Sequence, residues 1–326
     1  MLPDNFNRSH TYLRLSLTER CNLRCTYCMP EEGIVLRDRI EFMTQEETIF
    51  LAKTFVSLGV TKIRLTGGEP LIKKNFKEIL AELSKLPVEL AMTTNGILLD
   101  QYWEELKKAG LNSLNISLDS LREDRVNQIT RRNYFKRIYS NIETSIEKGF
   151  DVKLNCVLMK DQNDDEILDF IRFAENKKVG IRFIEFMPFD GNKWDWTKTV
   201  SFKSIMQIAN DFFGEENLIK LDAGSNSTSR NFRVKNHIGN FGIISSVTNP
   251  FCDTCNRIRL TADGKIKNCL FSAGETDLLT ALRKDEDVVS LIKANILSKH
   301  KERGGLPEFS DPSFQIDNRS MIRIGG

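Results

Sequence analysis

Between residues 12 and 187, short apolar runs alternate six times with stretches whose apolar residues recur at helical spacing. That alternation restricts the fold more than any other feature of the chain. The strand candidates are 12–17, 61–66, 88–92, 114–116, 152–158 and 181–187. Between them lie helical stripes such as Phe76, Ile79, Leu80 and Leu83, or Phe135, Ile138, Ile142 and Ile146. Thr44 and Glu47 have the spacing of a capping box that opens one of these helices. Strands joined through helices pair in parallel, so the pattern predicts an α/β fold. Six units are too few for a closed eight-unit barrel, and an incomplete six-unit (βα) parallel barrel is expected, followed by a smaller C-terminal α+β part. The boundary is expected near residue 200, giving segments 1–200 and 201–326.

In a parallel barrel the active site forms at the C-terminal ends of the strands. Here those ends carry a cysteine loop after strand one, Gly67-Gly68-Glu69-Pro70, Thr93-Thr94-Asn95-Gly96, Ser117-Leu118-Asp119 and Met187. Five remote stretches are therefore expected to meet at one mouth. Side chains alternate along a strand. With Leu13 and Leu15 turned toward the helices, Arg14 faces the lumen, and the same parity is expected to point Arg64, Lys153, Asn155 and Glu185 inward. Buried cations are costly unless something anionic accompanies them, so the lumen reads as a pocket for a polyanion.

The cysteine loop is Cys21-x3-Cys25-x2-Cys28, and a second group is Cys252-x2-Cys255-x13-Cys269. Three thiolates on a short loop can surround one soft metal centre and leave a position open for another ligand. The long gap of the second group spans a hairpin signal at Asp263-Gly264. A two-residue turn there sets Cys269 opposite Ile258, on the other face from Arg257 and Arg259, so either the register near the metal is irregular or the pairing is shifted by one residue. Zinc is the competing metal, more so for the second group, but His10, His237 and His300 show no ligand spacing. Cys156 reads as a small buried hydrophobe.

Seven cysteines, an odd number clustered three and three, fit metal chemistry in a reducing cytoplasm better than disulfides. The sequence has no signal-like N-terminus and no run of 18 apolar residues, so no membrane association is expected. The net charge of +2 argues against a dedicated nucleic-acid binder.

The first cysteine motif, with Tyr27 before its last cysteine, together with Gly67-Gly68-Glu69-Pro70, resembles the radical S-adenosylmethionine superfamily. From Leu13-Arg14-Leu15-Ser16 through Arg182 to Met187, Phe251 to Thr261 and the final Gly325-Gly326, the whole chain resembles the GTP 3',8-cyclase family within it. The resemblance implies a 4Fe-4S cluster on Cys21, Cys25 and Cys28, and a second on Cys252, Cys255 and Cys269. It implies S-adenosylmethionine at Tyr27, Gly68, Ser117 and Met187, and GTP at Arg14, Arg64, Thr93, Lys153, Arg257 and Arg259. Arg257, Arg259, Gly325 and Gly326 are the expected catalytic positions.

The implied reaction forms (8S)-3',8-cyclo-7,8-dihydroguanosine 5'-triphosphate, the first step of molybdenum cofactor biosynthesis. It needs an external one-electron reductant, passes its product to a cyclic pyranopterin monophosphate synthase, and is expected in a homodimer. Competing classes are a radical enzyme acting on a peptide, against which the lumenal cations count, and an electron carrier or zinc module, which would need fourth ligands.

Overall fold

The computed structural model describes residues 1–30, 33–35, 37–222, 228–311, 314–316 and 318–325. Six strands alternate with helices: β1 (Tyr12–Ser16), β2 (Lys62–Thr66), β3 (Glu89–Thr94), β4 (Ser113–Ser117), β5 (Asp151–Leu158) and β6 (Val179–Glu185). The intervening helices are α1 (Gln45–Ser57), α2 (Phe76–Leu83), α3 (Trp103–Lys108), α4 (Glu123–Thr130), α5 (Phe135–Glu147) and α6 (Ile167–Phe173). The capping box is present at the start of α1: Glu47 N donates to Thr44 Oγ1 at 3.2 Å, and Thr44 N to Glu47 Oε2 at 2.7 Å. Leu13, Leu15, Ile63, Leu65, Leu154 and Ile181 are fully buried against the helix layer. Truncating one such leucine to alanine costs about 2 to 5 kcal/mol.

After α7 (Phe202–Phe213) come β7 (Leu218–Leu221), β8 (Arg230–Val234), β9 (Asn240–Ile244), β10 (Arg257–Leu260), β11 (Lys265–Lys267) and β12 (Thr276–Asp277). The chain ends through α8 (Leu278–Arg283), α9 (Val288–Leu297) and α10 (Met321–Ile324). The C-terminal strands do not make a separate sheet. One sheet runs β12-β11-β10-β1-β2-β3-β4-β5-β6-β9-β8-β7. Both β10 against β1 and β9 against β6 are parallel pairs. The barrel of six units is thus extended at each edge by a strand from the C-terminal part, and antiparallel hairpins finish the edges.

Two sequence expectations need correction. Arg259 pairs with Lys267 and Leu260 with Ile266, so the β10–β11 turn holds three residues, Ala262 to Gly264. Thr261 Oγ1 accepts from the Lys265 amide at 2.9 Å and donates to the Asp263 carboxylate at 2.6 Å, which fixes this longer turn. Extending the register by two residues sets Cys269 opposite Arg257, not Ile258, and puts thiol and arginines on one face. Glu185 does not face the lumen either. It pairs with Leu158 on the helix-facing parity, where its carboxylate accepts from the amides of Val247 at 2.8 Å, Thr248 at 2.9 Å and Phe202 at 3.2 Å. The lumenal neighbours on β6 are Arg182 and Ile184. Glu185 instead fastens the mouth end of β6 to α7 and to the loop after β9.

Candidate active site

The cysteine loop is aimed by close backbone packing. Gly68 N donates to Thr18 O at 2.6 Å and Glu69 N to Arg20 O at 2.8 Å. A Cβ on Gly68 would lie 2.2 Å from Arg20 O, so no other residue permits this approach. Glu69 braces the next strand end by accepting from Asn95 N at 2.7 Å, Thr94 Oγ1 at 2.8 Å and Leu71 N at 3.1 Å. Burial pushes its carboxyl up to about 7, while these donors pull it back.

Cys21, Cys25 and Cys28 all line a cavity of about 170 Å³ at the mouth. Tyr27, Gly68, Ser117 and Met187 line the same cavity. Tyr27 Oη donates to Asp119 Oδ2 at 2.9 Å, and Val157 N to Asp119 Oδ1 at 2.9 Å, which holds the loop against the ends of β4 and β5. Burial pushes the Cys21 thiol up to about 11, with the Glu69 carboxylate adding to it. Burial raises the Cys25 and Cys28 thiols as well. Thiols so placed ionise only with a strong cation beside them, as in a metal cluster.

Below lies a cavity of about 550 Å³ inside the sheet, and Cys252, Cys255 and Cys269 line it together. Arg14, Arg64, Lys153, Arg257 and Arg259 line it as well. Arg14 stands in register with Arg259 on one side and Arg64 on the other, giving a row of three guanidiniums across β10, β1 and β2. Burial, and then the repulsion of Arg64 and Arg257, lowers Arg14 to about 10. Burial and the charges of Arg14 and Arg257 depress Arg259 too. Thr93 Oγ1, Asn115 Oδ1, Asn155 Oδ1 and Arg257 Nη1, all on residues that line these two cavities, are buried without a hydrogen-bond partner. Buried polar atoms are normally paired, so this grouping marks a place for a polar ligand.

Thr93, expected with the nucleotide residues, lines the smaller cavity and not the larger one. Asn155, Ile184, Met187 and Met321 line both, so the two spaces meet there. Lys62 and Arg182 line the larger cavity and were missed in the sequence; they share the parity of Arg64 and Ile184, which strand alternation could have found. Lys299 was also missed. It is 4% exposed, and its Nζ lies 3.4 Å from Cys255 Sγ and 3.3 Å from Arg257 O. Although burial opposes it, the charges of Arg257 and Lys299 bring the Cys255 thiol down to about 6.

The tail enters the lumen. Gly325 has φ +86°, and a Cβ there would lie 2.7 Å from Ser16 Cβ and 3.0 Å from Thr66 Oγ1. Gly326 lies outside the described residues.

The donor set of each triad, thiols alone facing one cavity, suits an iron–sulfur cluster. Among the described residues no three Cys, His, Asp or Glu side chains converge as a single metal ion requires. A four-iron cluster binds each thiolate to a different iron and asks for sulfurs set wider apart. No helix among the described residues is long and apolar enough to cross a membrane.

Comparison with known families agrees with this geometry. The model of the Radical SAM superfamily matches residues 15–174, and that of Molybdenum Cofactor Synthesis C matches residues 179–304. The chain is 45% identical to "GTP 3',8-cyclase, mitochondrial" of Arabidopsis thaliana, covering all of this chain and 84% of that one. It is 40% identical to "GTP 3',8-cyclase" of Listeria monocytogenes, covering all of this chain and 99% of that one. It is 47% identical to "Molybdenum cofactor biosynthesis protein 1" of Drosophila melanogaster, over 92% of this chain and 54% of that one. The chain thus spans about half the length of such longer relatives. Among solved structures, Streptococcus suis SuiB superposes with a TM-score of 0.65 at 14% identity, over 88% of this chain and 67% of that one, which speaks for the fold alone. On the strength of the full-length matches, this chain belongs to the GTP 3',8-cyclase family of the radical SAM superfamily.

Proposed function

We propose that the chain catalyses the radical cyclisation of GTP to (8S)-3',8-cyclo-7,8-dihydroguanosine 5'-triphosphate, the opening step of molybdenum cofactor biosynthesis. The observation that carries this reading is the row Arg259–Arg14–Arg64, set in a cavity lined by one cysteine triad and opening onto a cavity lined by the other. A triphosphate carries charge opposite to that row, and charge-assisted contacts to arginine are the strong kind. A neutral peptide would offer this row of guanidiniums no comparable negative charge.

Cys21, Cys25 and Cys28 would hold one 4Fe-4S cluster, and Cys252, Cys255 and Cys269 another. When bound, the first cluster and S-adenosylmethionine would supply, on one electron from the external reductant, the radical chemistry that removes the ribose C3' hydrogen; bonding of C3' to guanine C8 would then need a further electron and a proton to complete the product. The protein orients and shields. Tyr27, Gly68, Ser117 and Met187 would hold S-adenosylmethionine over the junction at Asn155 and Ile184. Arg14, Arg64, Lys153, Arg257 and Arg259 would hold the phosphates so that the ribose lies at that junction, with Thr93 reaching it from the smaller cavity. Gly325 would close the lumen beside Ser16 and Thr66, where a side chain does not fit, and Gly326 is proposed as a catalytic position with it.

On this reading residues 1–200 generate the radical, and residues 201–326 bring the second cluster, the paired arginines and the tail. We further propose a cytoplasmic homodimer served by an external one-electron reductant, its product passing to a cyclic pyranopterin monophosphate synthase. All seven cysteines are free of disulfides, which suits a reducing compartment.

The test is anaerobic reconstitution with iron and sulfide, reduction, and incubation with GTP and S-adenosylmethionine. Formation of 5'-deoxyadenosine together with the cyclised nucleotide is expected. Cofactor cleavage with GTP recovered unchanged would contradict the substrate.

A further inference from the structure

Running from the first cysteine loop to the edge of the larger cavity, which Lys267 lines, six charged side chains of alternating sign form a continuous chain: Glu19, Arg37, Asp263, Arg319, Glu275 and Lys267. Arg37 Nη2 meets Glu19 Oε1 at 2.5 Å, and its Nη1 meets Asp263 Oδ2 at 3.1 Å. Arg319 Nη1 reaches both oxygens of Asp263, at 3.0 and 3.1 Å, and its Nη2 meets Glu275 Oε2 at 2.5 Å. Lys267 Nζ lies 3.3 Å from the other oxygen of Glu275. Glu19, Asp263 and Lys267 are 3%, 4% and 0% exposed. Surface ion pairs contribute little, but a buried network with every charge matched fixes geometry, and removing one member strands its neighbours.

What the chain connects is more telling than its size. Glu19 stands two residues before Cys21, and Lys267 two residues before Cys269. Asp263 sits in the β10–β11 turn, and Arg319 lies six residues before Gly325. Asn318 joins the same node, accepting from Lys267 Nζ at 3.1 Å and donating to Leu270 O at 2.8 Å. The first cysteine loop, the hairpin of the second triad and the root of the tail are thus held by one set of charges.

We propose that this ionic chain is a positioning device that docks the C-terminal tail, with Arg319 and Asp263 as its key pair, so that the Gly325 carbonyl reaches Arg259 in the lumen. Neither residue touches the cavity's reacting region; both act through the tail. The proposal rests on the reading above only in taking the tail to serve cyclisation.

The test compares cluster-loaded wild type with Arg319→Ala and Asp263→Asn by amide hydrogen exchange, iron content, GTP affinity and turnover. Exchange at residues 320–325 should rise about tenfold or more, while β1 to β6 keep their protection. Iron content and GTP dissociation constant should stay near wild type as cyclisation falls. If Arg319→Ala does not fold, Arg319→Lys carries the same test, because it keeps the charge but cannot bridge Asp263 and Glu275 as a planar fork. A tail as protected as wild type in these variants overturns the dock whatever the turnover. A deprotected tail with full turnover upholds the dock and removes the tail from the reaction.

Discussion

Arg259 Nη1 donates to the carbonyl of Gly325 at 2.5 Å, across 66 residues of chain. The contact joins the row of lumenal guanidiniums to the tail and holds Gly325 inside a polar cavity. Deleting Gly325 and Gly326 should leave fold and iron content unchanged and reduce cyclisation at least about tenfold, since misplacing one group near a reaction costs that much or more. Gly325→Ala should do the same through its clash with Ser16. Wild-type turnover by either variant would mean the tail has no part in the chemistry.

Arg257 is the cation with a buried, unpartnered Nη1 on the face shared with Cys269. Losing its charge-assisted hydrogen bonds should cost roughly 1.5 to 3 kcal/mol, about ten- to a hundredfold in affinity. Arg257→Ala is expected to raise the GTP dissociation constant by that factor in equilibrium binding, with iron content unchanged. Unaltered affinity would place the nucleotide elsewhere.

The two cysteine triads should be separable. Cys25→Ala is expected to abolish 5'-deoxyadenosine formation while the second triad still loads with iron. Cys269→Ser is expected to spare cofactor cleavage and to weaken GTP binding and cyclisation. Iron and sulfide analysis beside product chromatography distinguishes the two, and loss of cleavage in both variants equally would speak against a division of roles.

Glu69 gives a pH dependence of definite sign. Burial raises its folded pKa to about 7, above the ordinary glutamate value of 4.5, so the folded state binds a proton that the unfolded state releases. Its contribution to stability is therefore greatest below about 4.5 and is lost as pH rises through about 7. From pH 8 to pH 6 wild type should gain about 1 kcal/mol relative to Glu69→Gln. Denaturant unfolding of both proteins at the two pH values checks this, and parallel pH profiles would refute it.

Much of this site could be read from alternation alone. The period of two in β1 separates Leu13 and Leu15 from Arg14, and the same rule places Arg64 and Lys153 in the lumen, where they lie. The rule failed at Glu185 because the parity of β6 was set without its register, and four donors on α7 and the loop after β9 had no local signal. The hairpin failed by one residue because Asp263-Gly264 read as a two-residue turn, whereas the Thr261 hydroxyl closes a three-residue one. Strands β9 and β10 are short, and they join the sheet through parallel partners far away in sequence. Nor does periodicity announce the ionic chain from Glu19 to Arg319, since each member is an ordinary charged residue until the fold brings them together.

The most direct test of the account places deuterium at C3' of GTP and follows it. If the lumen holds the ribose at the junction of the two cavities, where Asn155, Ile184 and Met187 line both, reduced and cluster-loaded protein should transfer that deuterium to 5'-deoxyadenosine and release the cyclised nucleotide without it. Mass spectrometry of the two products reads the result. Unlabelled 5'-deoxyadenosine formed beside a nucleotide that keeps its deuterium would contradict the account.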